Sequence, residues 1–304
     1  MSKNKNGCES AVRERYAKAA FQKENALCCP VDYDARYLKV LPKEVIEKDY
    51  GCGDPSRYLN PGETVLDLGS GTGKICFIAA QVVGAQGRVI GVDMTDAMLE
   101  VARRNAPIVA ERIGYANVDF YKARIQDLDL DLEKVETRLL NHPVTDLETL
   151  LALQDWIGVL RREEPLIAEG AVDVVVSNCV LNLVETHAKH RLFAEIFRVL
   201  NPKGGRAVIS DIVSSKPVPP HLQANPELWS GCISGALTET AFIEAFKAVG
   251  FSSVSLLKAD SKPWRSVEGI DFYSVTLEAV KGTSPASSAS SESSEPHSCG
   301  CRTC

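Results

Sequence analysis

Three glycines, Gly69, Gly71 and Gly73, stand at alternate positions directly behind the apolar run Val65-Leu-Asp-Leu68. A buried strand that runs into such a turn and then a helix makes a ligand cradle, because glycine takes positive φ and leaves backbone N–H groups open to approach. Asp93 closes the next apolar run, Arg88-Val-Ile-Gly-Val92, twenty residues after Gly73. A carboxylate there suits the two hydroxyls of a ribose. The spacing is G-x-G-x-G, with Ser70 inside the turn and an acid, Asp67, just before it. That carboxylate would repel a pyrophosphate at the helix N-terminus but attract a sulfonium and an ammonium, so the pattern favours S-adenosylmethionine over NAD.

Cysteine supplies the second set of candidates. Cys52 lies in Tyr50-Gly-Cys-Gly53, Cys179 follows Asn178, and Cys232 lies in Trp229-Ser-Gly-Cys-Ile-Ser-Gly235. Glycines beside Cys52 and Cys232 shape backbones that aim a side chain rather than pack one. There are ten cysteines in all, at 8, 28, 29, 52, 76, 179, 232, 299, 301 and 304. With no export signal, such thiols bind a soft ion or do redox chemistry rather than form a disulfide framework. No C-x-x-C has a matching second pair, which argues against structural zinc. Any single cysteine can instead fill core. That reading is assigned to Cys76, behind the cradle, while Cys8 reads as a surface thiol, and Cys299, Cys301 and Cys304 as either an incidental tail or an arm that captures a soft ion. His187 and His190, three apart without a third ligand, read as a solvated helix face.

The elements that must position these groups follow from periodicity. Strands are expected at 64–68, 88–92, 118–121, 172–177 and 206–213, with helices at 74–83, 96–105 and 187–200 between them, which is an α/β parallel sheet. Cys179 then lies just past the fourth strand, at the carboxyl edge where doubly wound sheets bind ligands. Cys52 precedes the first strand closely enough to reach that edge, and Cys232 sits on the loop after the fifth. Residues 1–60 read as a helical lead-in around Glu9 to Lys23. Residues 61–213 read as the cofactor domain, interrupted by a helical insert at 126–168, and 214–281 as a substrate-binding, sheet-completing region with Trp229 a wall of the cysteine pocket. A helix at 239–249 and strands near 251–257 and 271–279 complete that region. The stretch 282–304 is Ser, Ala, Pro and Glu with little apolar content, so it is expected to be disordered.

Composition sets the outer limits. A chain of 304 residues with 45% hydrophobic and 24% charged residues can bury a full core, and a net charge of −6 without a Lys/Arg run gives no pull toward nucleic acid or anionic membrane. No apolar stretch approaches a membrane span and the N-terminus lacks a signal-peptide core, so a cytoplasmic monomer is expected.

These residues together resemble the arsenite S-adenosylmethionine methyltransferases. The matching motifs are Tyr50-Gly-Cys-Gly53, Val65-Leu-Asp-Leu-Gly-Ser-Gly-Thr-Gly73, Gly91-Val-Asp-Met-Thr95, Val176-Ser-Asn-Cys-Val-Leu-Asn-Leu-Val184 and Leu228-Trp-Ser-Gly-Cys-Ile-Ser-Gly-Ala-Leu237. The resemblance covers residues 25 to 258 apart from the insert, and the cysteine motifs are its specific part. It implies a class I, Rossmann-like fold with a mostly parallel seven-stranded sheet. It implies Cys52, Cys179 and Cys232 as ligands of trivalent arsenic, whose free lone pair attacks the sulfonium methyl, and Cys28 or Cys29 as a mobile partner that forms a disulfide with Cys52. For the cofactor it implies Gly69 and Gly71 at the methionine moiety, Asp93 at the ribose, Met94 and Ile125 at the adenine, and Tyr50 closing over it, with Asp67, Ser70, Gly73 and Asn178 completing the set. Gln126 stands where the family usually carries an acid, and the insert is a larger departure. Arsenite or its thiol conjugates would be the substrate, with glutathione or thioredoxin as reductant.

Two other functions use the same residues differently. A small-molecule O-, N- or C-methyltransferase would keep the cradle and pack the cysteines, but O- and N-transfer normally need a general base, and no His or acid beside Cys179 offers one. A non-catalytic metalloid binder would have no use for the cofactor cradle.

Overall fold

The structure is a computed structural model and describes residues 8–21, 24, 31–48 and 50–282. Cys28, Cys29, Cys299, Cys301 and Cys304 lie outside the described residues, as does the side chain of Cys8.

Three helices precede the sheet: α1 (Cys8–Ala19), α2 (Ala35–Leu38) and α3 (Lys43–Glu47). Strand and helix then alternate as the periodicity requires, through β1 (Thr64–Leu68), α4 (Lys74–Val83), β2 (Arg88–Asp93), α5 (Asp96–Ile113) and β3 (Val118–Lys122). Helix α5 runs past the expected end near 105. Pro107 removes one donor without ending it, the stripe Met98, Leu99, Val101, Ala102 and Val109 stays buried, and termination waits for Gly114, whose φ of 87° supplies the left-handed cap. Between β3 and β4 (Val174–Asn178) the chain inserts α6 (Leu132–Asn141) and α7 (Leu147–Glu163), each started by an aspartate, Asp131 or Asp146, that accepts from backbone N–H groups of the first turn.

The remaining elements are α8 (Lys189–Val199), β5 (Arg206–Ser214), α9 (Pro220–Gln223), α10 (Pro226–Ser230), β6 (Leu237–Thr238), α11 (Glu239–Ala248), β7 (Ser253–Ala259), β8 (Arg265–Val267) and β9 (Ile270–Val280). The main strand path is β3-β2-β1-β4-β5-β9-β7, seven strands as expected, and short β6 and β8 attach to β5 and β9. Strands β1 to β5 pair in parallel, whereas β9 runs antiparallel to β5 and to β7.

Alternate side chains of β1 enter opposite apolar layers. Leu66 and Leu68 pack with Leu192, Ile196 and Phe246 on one face, and Val65 packs with Phe77, Ile78 and Leu99 on the other. Both faces are therefore covered, and the polar end of the sheet is left for ligands. Among the described residues, no helix is long and apolar enough to cross a membrane.

Candidate functional site

At the carboxyl ends of β1, β2 and β4 a cleft opens, lined by Asp67, Gly69, Ser70, Gly71, Asp93, Met94, Ile125, Asn178, Cys179 and Tyr50. The turn after β1 holds Gly69, Gly71 and Gly73 at φ of 68°, 53° and 90°. Their reasons differ. A Cβ on Gly69 would come within 2.5 Å of Val180 and one on Gly73 within 2.8 Å of Phe120, whereas Gly71 faces open space. Asp93 fixes the turn, accepting from the Gly71 N–H at 2.9 Å and the Thr95 N–H at 2.8 Å, and burial raises its pKa.

The cleft fits S-adenosylmethionine. The buried Ser70 hydroxyl has no partner among the described residues, in the turn where the methionine moiety would lie. Asp67 and Asp93 offer carboxylates to an ammonium and a ribose, and Met94, Met98 and Ile125 offer an apolar slot to a base. Gln126 lines the same slot. Cys76 is buried behind the cradle, donating to an Asp67 oxygen at 3.1 Å, which agrees with its reading as a packed thiol.

Helix α1 roofs the cleft, contributing Glu9, Val12 and Tyr16 to its lining. Its first turn is tied to the far wall by Glu9–Arg124 at 2.7 Å, and Arg15 donates to Ser230 Oγ and the Glu227 carbonyl of α10, both at 3.1 Å. The Tyr50 hydroxyl donates to the Ala19 carbonyl at 2.9 Å, so Tyr50 meets the roof from below.

Next to the cofactor cleft, Cys52, Cys179 and Cys232 are buried as free thiols in one apolar cluster with Ile212, Ile233 and Phe272. Cys179 is in the middle: interaction of its thiol with those of Cys232 and Cys52, together with burial, pushes its pKa well above the ordinary thiol value. Burial also raises Cys52, and the Cys232 thiol donates to the Cys179 carbonyl at 3.1 Å. Cys179 and Cys232 adopt φ of 64° and 62°, a left-handed conformation that costs a side-chain-bearing residue about 1–3 kcal/mol and persists only where the surroundings enforce it. Among the described residues no three His, Cys, Asp or Glu side chains form a ready-made metal cluster, so the three thiols share one apolar cluster without meeting at a common point.

Asn178 holds the Cys52 loop. Its Oδ1 accepts from the N–H groups of Cys52 and Gly53 at 2.8 and 3.0 Å, and its Nδ2 donates to the Gly53 carbonyl at 2.7 Å. A Cβ on Gly51 would fall 2.0 Å from that Nδ2, which explains the glycine.

The methyltransferase-domain family model matches residues 59–262. An arsenite methyltransferase from Halobacterium salinarum is 38% identical over 240 residues, 76% of this chain and 50% of that protein. One from Aquipseudomonas alcaligenes is 33% identical over 275 residues, 86% of this chain and 69% of that protein. The crystal structure of an arsenic(III) S-adenosylmethionine methyltransferase from Chlamydomonas reinhardtii superposes with a TM-score of 0.63 at 31% identity, covering 82% of this chain and 74% of that one. This chain belongs to the arsenite methyltransferase family. It spans about half the length of the Halobacterium relative.

Within this family member, sequence reading misses several groups that the fold brings to the site. Tyr16 of the roof lies beside the cysteine thiols, and burial first, then the neighbouring Cys232 and Cys179 thiols, hold its pKa well above the ordinary phenol value. Val12 and Tyr16, four apart on α1, are the only sequence signal for that face. Trp229 is buried with its indole N–H donated to the Leu183 carbonyl at 3.0 Å, and the tryptophan packed against the cysteine cluster is Trp264. Beneath the cysteines lie Asp211 and Lys189, which burial moves to pKa values of about 6 and about 8. His187 and His190 share no helix: His187 is in a short 3-10 turn, Thr186–Ala188, and His190 is in the first turn of α8.

Proposed function

We propose that this chain transfers the methyl group of S-adenosylmethionine to trivalent arsenic held by the thiolates of Cys52, Cys179 and Cys232. The observation that carries the reading is the gathering of three buried free thiols in one apolar cluster, with Cys179 also lining the cofactor cleft. Trivalent arsenic is soft and takes thiolate ligands in a pyramid that leaves its lone pair free. The As–C bond forms as the sulfonium S–CH3 bond breaks and the electron pair returns to sulfur. No proton is taken from the arsenic, so no general base is required, and the chain's task is placement.

In this reading Gly69, Ser70 and Gly71 receive the methionine moiety beside Asp67, Asp93 accepts from the ribose hydroxyls, and Met94 and Ile125 enclose the adenine. Tyr50 and α1 exclude water. Gly73 keeps the helix entry close, and Asn178 presents Cys52. Methyl transfer oxidises arsenic formally by two electrons, and a dithiol returns them on becoming a disulfide. Cys52 with Cys28 or Cys29 is that dithiol, and thioredoxin or glutathione restores it. Arsenite arrives free or as a thiol conjugate, and the enzyme works as a cytoplasmic monomer.

Arsenic-edge X-ray absorption on the arsenite-loaded protein tests the site. Three sulfur neighbours in the wild type and two in each of Cys52→Ser, Cys179→Ser and Cys232→Ser are expected. A sulfur count that none of the three substitutions changes would exclude these ligands.

A further inference from the structure

We propose that Lys189 is a positioning residue that sets the spacing of the Cys179 and Cys232 thiols, by tying together with one buried ammonium the two chain segments that carry them. It rests on the reading of those cysteines as arsenic ligands. Lys189 opens α8, ten residues after Cys179 and 43 before Cys232, and only 7% of its surface is exposed. Its Nζ donates to the Leu181 carbonyl at 3.2 Å, to the Gly235 carbonyl at 2.9 Å and to Asn182 Oδ1 at 3.5 Å. An ammonium has three donors, and here they meet three acceptors.

The placement of those acceptors is the point. Leu181 follows Cys179 by two residues and Gly235 follows Cys232 by three. Both cysteines hold left-handed backbones, which relax unless the chain on either side is fixed. Upstream, the Cys179 N–H donates to the Ser210 carbonyl at 2.7 Å, and the Cys232 N–H to the Trp229 carbonyl at 3.1 Å. Downstream, one ammonium anchors both segments to each other.

The two backbones also touch directly: a Cβ on Gly235 would fall 1.9 Å from the Asn182 carbonyl oxygen. Asn182 is held in turn, its Nδ2 donating to Asp211 Oδ1 at 2.8 Å and to the Ile212 carbonyl at 2.7 Å on β5. The tie is thus referenced to the sheet, and Asp211 supplies the negative charge that lets an ammonium remain buried.

The probe is phenylarsine oxide, which has two valences for thiols and so reports the spacing of a thiol pair; Cys8, Cys28, Cys29, Cys52, Cys299, Cys301 and Cys304 are replaced by Ser in every protein tested, so that the pair it reads is Cys179 and Cys232. Calorimetry is run on the wild type, Lys189→Met, Lys189→Arg and the double variant Lys189→Met/Asp211→Asn. The double variant removes both charges and keeps the shape, so it carries the comparison if Lys189→Met alone does not fold. S-adenosylmethionine affinity is the control for an intact cofactor cleft.

Affinity for the probe is expected to fall about tenfold or more in Lys189→Met and in the double variant, with partial recovery in Lys189→Arg and an unchanged cofactor affinity. If the double variant binds the probe as the wild type does, Lys189 serves only to balance Asp211 and the proposal is overturned. If the wild type itself fails to bind the probe, the assignment of the thiols falls first and the proposal with it.

Discussion

Asn178→Ala is the perturbation whose consequences follow most directly from the structure. The amide makes two acceptor contacts, to the N–H groups of Cys52 and Gly53, and two donor contacts, to the Gly53 carbonyl and, at 3.2 Å, to the Tyr33 hydroxyl. Truncation orphans two N–H groups, each costing about 1–3 kcal/mol if it stays dry, while the Gly53 carbonyl keeps the Tyr33 hydroxyl at 3.3 Å. Because Asn178 lines the cleft, water reaches part of the gap, and a net loss of about 2–4 kcal/mol is expected. In a chain of this size that lowers Tm by roughly 3–6 °C. The sharper readout is selective. Cys52 alone loses its support, so affinity for arsenite, which uses three thiolates, should fall about tenfold, while affinity for phenylarsine oxide, which needs only two, should stay within about threefold. Gly51→Ala drives the same amide away and should repeat the pattern. Calorimetry with both arsenicals decides, and parallel losses, or none, would refute the assignment of Asn178 to the Cys52 loop.

Three further outcomes are expected. Asp93→Ala should weaken S-adenosylmethionine binding by about 1.5–3 kcal/mol, the worth of charged hydrogen bonds to a ribose, and leave arsenite binding intact by calorimetry. Cys179→Ser and Cys232→Ser should each abolish methylation of arsenite and of methylarsenite, whereas Cys52→Ser should retain the second reaction, because a methylated substrate has only two valences left for thiols; chromatography of the products distinguishes these. Asp211 is raised to about 6 by burial, against the opposing pull of Lys189 and backbone donors, so between about pH 4 and 6 the folded state keeps a proton that the unfolded state has lost. Its contribution to stability therefore falls as pH rises through that window, by up to about 3 kcal/mol. Asp211→Asn removes this dependence, so its Tm should rise relative to wild type between pH 4 and 6.5, and a constant offset would contradict the buried titration.

The sheet and the cleft were legible because their signals are local. An apolar run, a glycine turn and an acid at the end of the next strand give β1, β2 and the cradle without any tertiary knowledge, whereas Gly51 and Gly53 leave room for the Asn178 and Ser210 side chains, which only the fold shows. The roof was not legible. Helix α1 is mostly polar, and Val12 and Tyr16 are too few to announce a buried face. Lys189 and Asp211 escaped for the opposite reason: charged residues default to solvent, and only the fold shows that each enters the apolar layer with a partner. Trp264 has no sequence neighbour among the cysteines, and only β8 and β9 bring it to their cluster from the far end of the chain. The strands β6 and β8 are too short to leave a periodic trace.

The central claim is methyl transfer to thiolate-held arsenic, and single-turnover product analysis tests it most directly. Purified protein is mixed with methyl-labelled S-adenosylmethionine, arsenite and a thiol reductant, and the arsenic species are separated by chromatography. The account predicts label in methylated arsenicals, one S-adenosylhomocysteine for each methyl group transferred, and loss of both products in Cys179→Ser. Arsenite bound with no label transferred, or label transferred equally well by Cys179→Ser, would contradict it.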